Sequence, residues 1–138
     1  MPDRLPRIVL TRSHHARLSA LLPSAAETHP DIGAYLTREL GRAKVVGPEK
    51  IGRGIVTMNS RVKFRDDATG ERRVVTLVYP GGEDDQAGCI SVLSPLGAAL
   101  IGLEEGQSIS FPAADGREKS VTVTKVQYQP EAHGRYDL

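Results

Sequence analysis

The apolar positions of this chain change period along its length. Between residues 12 and 43 they recur every three or four places, as Leu18, Leu21 and Leu22, then Ile32, Tyr35, Leu36, Leu40 and Ala43. Each set falls on one helical face. Thr11 is a cap for a first helix over about residues 12 to 22, and a turn containing Pro23, Ser24, Thr28, His29 and Pro30 ends it. Pro30 opens the second helix; Gly41 weakens it and Gly47-Pro48 stops it. The reading is a short antiparallel hairpin, its helices only about 16 to 21 Å long at 1.5 Å per residue. Helices of that length are marginal alone and must lean on each other and on the C-terminal domain. The junction is expected near residues 44 to 50, dividing the chain into 1–47 and 48–138.

Past the junction the period becomes two. Val56, Met58, Val62 and Phe64 alternate with Thr57, Asn59, Arg61 and Lys63, predicting a strand from Ile55 to Phe64 with one buried face. Asp66 to Gly70 supplies a turn. Val74 to Tyr79 is apolar on both faces and reads as a central strand covered on either side, ended by Pro80-Gly81-Gly82. A polar loop from Glu83 to Gly88 leads to a strand at Cys89 to Leu93, where Cys89 reads as a small buried residue. Glu104 to Gln107 turns the chain into a strand carrying Ile109 and Phe111, and Ala114-Asp115-Gly116 into the last strand. There Val121 and Val123 share a face while Val126 and Tyr128 fall one position out of phase. An extra residue at Thr124 or Lys125, a β-bulge, would restore the inward direction.

One helix interrupts these strands. Ser94 can cap it with its hydroxyl, and Pro95 fits the first helical position, where the missing N–H costs nothing. Leu96, Ala99, Leu100 and Leu103 then follow at helical spacing. The fold class is α+β: a helical hairpin, then a twisted antiparallel sheet wrapped partly around one short helix.

This helix, Ser94-Pro95-Leu96-Gly97-Ala98-Ala99-Leu100-Ile101-Gly102, resembles the helix of the C-terminal domain of the Gre transcript-cleavage factors, an FKBP-like fold that docks on bacterial RNA polymerase. Val56 to Phe64, Leu77-Val78-Tyr79-Pro80 and Tyr128-Gln129-Pro130-Glu131-Ala132 are similar to one subgroup, the Rnk regulators of nucleoside diphosphate kinase. The resemblance spans roughly residues 45 to 138, and the helical segment before them also fits. It implies that the polymerase contact falls on Leu93, Ser94 and Pro95. An acidic residue commonly precedes the serine in that family; Leu93 stands there here, which implies an altered affinity. It also implies that two carboxylates at the hairpin tip can help hold a catalytic magnesium, and Glu27 and Asp31 are the residues near this tip. Glu27 reads better as part of a solvated turn, and Asp31 as a charge favouring the second helix's N-terminus.

Charge and composition narrow the chemistry. The net charge is +1 over 138 residues, but residues 1 to 80 carry +6 and residues 81 to 138 carry −5, enough to orient the protein on a charged partner. Arg61, Lys63 and Arg65 fall on one strand face, with Arg72 or Arg73 across the turn. Such a basic patch suits an acidic polymerase surface or non-specific nucleic-acid contact, DNA binding included, although Asp66, Asp67 and Glu71 can offset it locally. His14, His15, His29 and His133 have no metal-ligand spacing, and the single Cys89 makes neither an internal disulfide nor a cysteine-rich zinc site. No phosphate-binding glycine loop and no nucleophile elbow is found, so neither metal nor cofactor is expected. No apolar run approaches a membrane span, and Pro2-Asp3-Arg4 before Ile8-Val9-Leu10 makes a poor signal peptide, so a cytoplasmic protein, expected as a monomer, is the simplest reading.

These features lead to a non-enzymatic transcription regulator that binds bacterial RNA polymerase near its secondary channel. The hairpin is too short to reach the active centre, so the protein would compete with Gre cleavage factors rather than act as one. The subgroup's name implies an effect on nucleoside diphosphate kinase levels, for which an indirect, transcriptional route is simplest. Two alternatives remain distinct: weak transcript cleavage through Glu27 and Asp31, and an FKBP-type peptidyl-prolyl isomerase, disfavoured by two phenylalanines, four tyrosines and no tryptophan to line a proline pocket.

Overall fold

The computed structural model describes residues 5–138. Pro2, Asp3 and Arg4, part of the reading against a signal peptide, lie outside the described residues. Among those described, no helix is long and apolar enough to cross a membrane.

Thr11 caps the first helix as expected, its Oγ1 accepting from the backbone N–H of His14 at 3.1 Å. The helix, α1 (Arg12–Thr28), does not stop at Pro23 but contains it. Proline removes one backbone donor and crowds the preceding turn. Packing beyond Pro23 offsets that loss: Ala25 is fully buried, and a Cβ added to Gly33 of the next helix would lie 3.3 Å from the Ala25 backbone. The crossing is so close that only glycine fits it comfortably. The expected turn of residues 23 to 30 therefore contracts to His29 alone, whose N–H donates to the Ala25 carbonyl at 2.7 Å and whose carbonyl accepts from Gly33 at 2.8 Å. The second helix, α2 (Pro30–Arg42), opens on Pro30 as expected. At 17 and 13 residues, α1 and α2 are about 25 and 20 Å long, so α1 exceeds its expected length.

Two short strands flank the hairpin. β1 (Val9–Thr11) and β2 (Lys44–Val46) pair in parallel, Val9 with Lys44 and Thr11 with Val46. β1 also reaches past the hairpin, where the Val9 N–H donates to the Gly102 carbonyl at 3.1 Å. Gly102 has φ +83°, and a Cβ there would lie 2.9 Å from that of Ile8.

The remaining strands, β3 (Arg61–Asp66), β4 (Arg72–Val78), β5 (Cys89–Ser91), β6 (Ser108–Pro112) and β7 (Glu118–Tyr128), form one sheet in the order β5-β4-β3-β7-β6. It is mixed rather than wholly antiparallel, because β5 runs parallel to β4. α3 (Pro95–Leu100) lies against it, with Ala98, Ala99 and Leu100 buried.

Three sequence expectations change here. Residues 55 to 60 are not strand: Asn59 takes φ +66° in a turn, so Thr57 and Ser60 are buried along with Val56 and Met58. Their hydroxyls pair at 2.8 Å, which replaces solvent for both. β4 is interior but covered on both faces only towards its end, where Leu77 and Val78 are buried, and Val74 is left 44% exposed. Cys89 is half-buried at the head of β5 rather than buried.

The bulge is where the phase slip places it. Phe64 pairs with Val123 and Lys63 with Lys125, so Thr124 is the extra residue. A second slip, at Gln127, separates Val126 from Tyr128; Val126 turns inward while Tyr128 stays 36% exposed. One core runs through the molecule, joining Leu18, Leu36 and Leu40 of the hairpin to Phe64, Leu77, Leu100 and Val123.

Candidate docking groove

The start of α3 is held by a knot of hydrogen bonds around one carbonyl. The Ser91 carbonyl accepts from the Ser94 N–H at 3.1 Å and from the Ser94 hydroxyl at 2.6 Å, while Ser94 Oγ accepts from the Gly97 N–H at 3.0 Å. The Ser91 hydroxyl in turn accepts from the Leu93 N–H at 3.0 Å. Ser94 thus caps the helix and ties it to the end of β5. Gly97 makes this approach possible, since a Cβ there would stand 2.1 Å from the Ser91 carbonyl oxygen.

Leu93, Ser94 and Pro95 line the mouth of an open groove of about 740 Å³. Phe64, Phe111, Ile90 and Leu96 give it apolar walls, and Arg73, Lys119, Asp66, Glu71, Glu83 and Asp85 add charges of both signs to its lining. Arg73 turns to this side with its guanidinium 5.8 Å from the Phe64 ring centroid. A second groove, of about 720 Å³, lies between the start of α2 and the β6–β7 end of the sheet. His29, Pro95 and Phe111 belong to both.

The hairpin tip is therefore part of this surface. Asp31 joins Pro95 in the second groove, while Glu27, exposed on the last turn of α1, lines neither groove. Residues His29, Arg73 and Lys119 carried no signal of this role in the sequence, because the topology alone brings them to Pro95. Deeper in α2, Tyr35 and Glu39 sit beside the guanidinium of Arg42, which binds both carboxylate oxygens of Glu39 at 2.6 and 2.9 Å. Burial, and then the charge of Glu39, push the Tyr35 hydroxyl well above the ordinary tyrosine value.

The basic patch lies elsewhere, on the outward face of the sheet. Arg61, Lys63 and Arg65 alternate along β3 with buried Val62 and Phe64. Of the two arginines expected across the turn, Arg72 stands directly opposite Arg65, whereas Arg73 faces the groove. Arg65 reaches Asp67 at 3.4 Å. Burial raises the Asp67 carboxyl, but hydrogen bonds from Ser120 at 2.6 Å and Thr122 at 2.7 Å, with Arg65 beside them, hold it below the ordinary aspartate value. Among the described residues no three His, Cys, Asp or Glu side chains converge as a metal-binding group.

An N-terminal helical part followed by a C-terminal β domain is the fold this chain shares with the GreA/GreB transcription elongation factors. A solved GreA/GreB factor from Nitrosomonas europaea superposes with a TM-score of 0.68 at 37% identity, covering 89% of this chain and 99% of that one. The family model for the GreA/GreB C-terminal region of transcription elongation factors matches residues 51–128, and the model for the Rnk N-terminus matches residues 6–46. The chain belongs to the Rnk group of the GreA/GreB family. It is 42% identical over 133 residues to the regulator of nucleoside diphosphate kinase of Escherichia coli K12, covering 96% of this chain and 98% of that one. A GreA of Syntrophobacter fumaroxidans is 41% identical over 81 residues, covering 59% of this chain and 52% of the relative.

Proposed function

We propose that this protein is a non-enzymatic regulator of transcription that docks on bacterial RNA polymerase near the secondary channel through Leu93, Ser94 and Pro95, and competes there with Gre cleavage factors. The observation that carries this reading is the rigid presentation of the α3 start at a groove with apolar walls. Ser94 is fixed by four hydrogen bonds and Pro95 lines both grooves. A preorganised apolar rim flanked by charges of both signs suits a protein partner. Residues 1–47 act as the short hairpin and 48–138 as the docking module; an effect on nucleoside diphosphate kinase follows indirectly, through transcription.

The hairpin supports competition rather than catalysis. Its tip residue His29 lines the docking groove, whereas neither tip carboxylate does: Asp31 lines the second groove and Glu27 lines neither. Asp31 stands in the first turn of α2, where its charge favours that helix's N-terminus, and Glu27 is solvated on the last turn of α1, which supports a structural reading of both.

A pull-down with core polymerase tests the docking site. Pro95→Ala, which alters the rim but keeps the Ser94 cap, is expected to weaken capture several-fold. Leu93→Asp, which introduces the acidic residue common in the family, is expected to strengthen it. Equal capture of both variants and the parent protein would remove α3 as the dock.

A further inference from the structure

We propose that the outward face of the sheet, across β4, β3 and β7 and separate from the α3 groove, is a platform for single-stranded RNA. Two like-charged pairs stand in register there. Arg65 opposes Arg72 across β3 and β4, and Lys63 opposes Lys125 across β3 and β7. Directly opposed like charges destabilise a sheet unless an anion relieves them. The one carboxylate within the row, Asp67, is already engaged by Arg65, Ser120 and Thr122. Glu105 meets Lys125 only at 3.9 Å, with the lysine side chain 65% exposed. Arg61, Lys63 and Arg72 make no ion pair among the described residues.

The bulge at Thr124 is what brings Lys125 opposite Lys63, so the second like-charged pair is a consequence of the backbone irregularity. Along β3 the outward cations are spaced by two residues, about 6.6 Å per step. A polyanion with regularly repeated charges, rather than a compact anion, matches a row of that length.

The end of the row selects an unpaired strand. Tyr128, opposite Arg61, is 36% exposed and stacks on His133 with ring centroids 5.0 Å apart and planes 17° from parallel. An exposed aromatic stack beside cations is the arrangement that holds unstacked bases while the backbone is neutralised. The hydroxyl of Thr76, opposite Arg61 on the other side, is placed on the same face, as a partner for a ribose 2′-hydroxyl. Val74, exposed between Arg72 and Thr76, leaves an apolar step for a base.

Fluorescence anisotropy with a labelled, unstructured 20-nucleotide RNA tests the platform, with a single-stranded DNA and a double-stranded RNA of the same length as comparison arms. Four neutralised phosphates, at Arg61, Lys63, Arg72 and Lys125, give an expected salt slope of about −3 in log K against log salt. The double substitution Arg61→Gln with Lys63→Gln is expected to weaken RNA binding at least tenfold at low salt and make the slope shallower by about 1.4. Tyr128→Ala should lower affinity several-fold and narrow the preference over duplex. Thermal melting separates binding from folding: relief of repulsion leaves the variants at least as stable as the parent, and Lys125→Gln serves as the second variant if the double substitution melts lower. Polymerase capture should be unchanged by Lys63→Gln, so this proposal and the α3 dock fail independently. Absence of RNA binding at low salt, undiminished binding by the neutralised variants, or DNA or duplex bound as tightly as RNA would overturn it.

Discussion

Nε2 of His14, on the first helix, stands 3.7 Å from Oε2 of Glu131 near the C-terminal end, with both side chains only 2% exposed. The other carboxylate oxygen of Glu131 accepts from the Thr57 hydroxyl at 2.7 Å, and the His14 Nε2 also meets the Leu138 backbone oxygen at 2.5 Å. One carboxylate thus fastens the hairpin, the turn before β3 and the last segment to each other.

Glu131→Ala leaves the Thr57 hydroxyl and the His14 ring with lost partners inside the protein. Thr57 keeps Ser60 and His14 keeps the Leu138 backbone oxygen, so neither group is wholly stranded, and a loss of about 1 to 3 kcal/mol is expected in urea unfolding. His14→Ala combined with Glu131→Ala should cost clearly less than the sum of the two. Additive losses would show that the pair is not coupled.

Gly97→Ala tests the packing of the docking helix. Helix propensity alone favours alanine by about 1 kcal/mol, and the sign should nevertheless reverse. The added Cβ would meet the Ser91 carbonyl oxygen at 2.1 Å, against backbone that cannot rotate away. A destabilisation of about 3 kcal/mol, at the upper end of overpacking costs, is expected in thermal melts. Polymerase capture should fall with it.

Tyr79 is set up for an alkaline transition. Burial pushes its hydroxyl up to about 12, with the charge of Glu131 adding to the effect and Arg17, 4.1 Å above the ring, opposing it. Because the folded protein holds this proton more tightly than the unfolded chain does, the associated stability is complete below pH 10. It is lost as pH rises from about 10 towards 12. Ultraviolet titration of phenolate should show two late tyrosines, Tyr35 and Tyr79, and the one near pH 12 should disappear in Tyr79→Phe. That variant should keep or exceed the parent's stability at neutral pH, because the buried hydroxyl has no hydrogen-bond partner among the described residues.

Asp67 acts at the other end of the scale. Its carboxyl is held low in the fold by Ser120, Thr122 and Arg65 despite partial burial. Its contribution is therefore full above the ordinary aspartate range and is lost as pH falls through the depressed value. Asp67→Asn should flatten the acid limb of the stability profile, and an unchanged limb would show that these hydrogen bonds do not favour the charged form.

The elements that announce themselves by a local signal were legible in the sequence. Pro30 at the start of α2, Ser94-Pro95 at the start of α3 and the phase slip at Thr124 all reflect constraints carried within a few residues. What escaped depends on distant partners. The β1–β2 pair is three residues on each side, and Val9 meets Lys44 only after the hairpin has closed. Pro23 stays helical because Ala25 packs on Gly33, a contact invisible in local propensity. Alternation through residues 55 to 60 looked like strand because Val56 and Met58 are buried, yet the Thr57–Ser60 pair buries the positions between them as well. The same limit applies to the docking surface: Leu93, Ser94 and Pro95 were visible as a helix start, but His29, Arg73 and Lys119 reach it through topology alone.

RNA cleavage in stalled elongation complexes is the most direct measurement of the central claim. With magnesium present, the protein alone should leave transcript length unchanged and, added in excess, should suppress shortening stimulated by a Gre cleavage factor, with Pro95→Ala relieving the suppression. Faster shortening by this protein alone, reduced by substituting Glu27 or Asp31, would contradict a non-catalytic competitor.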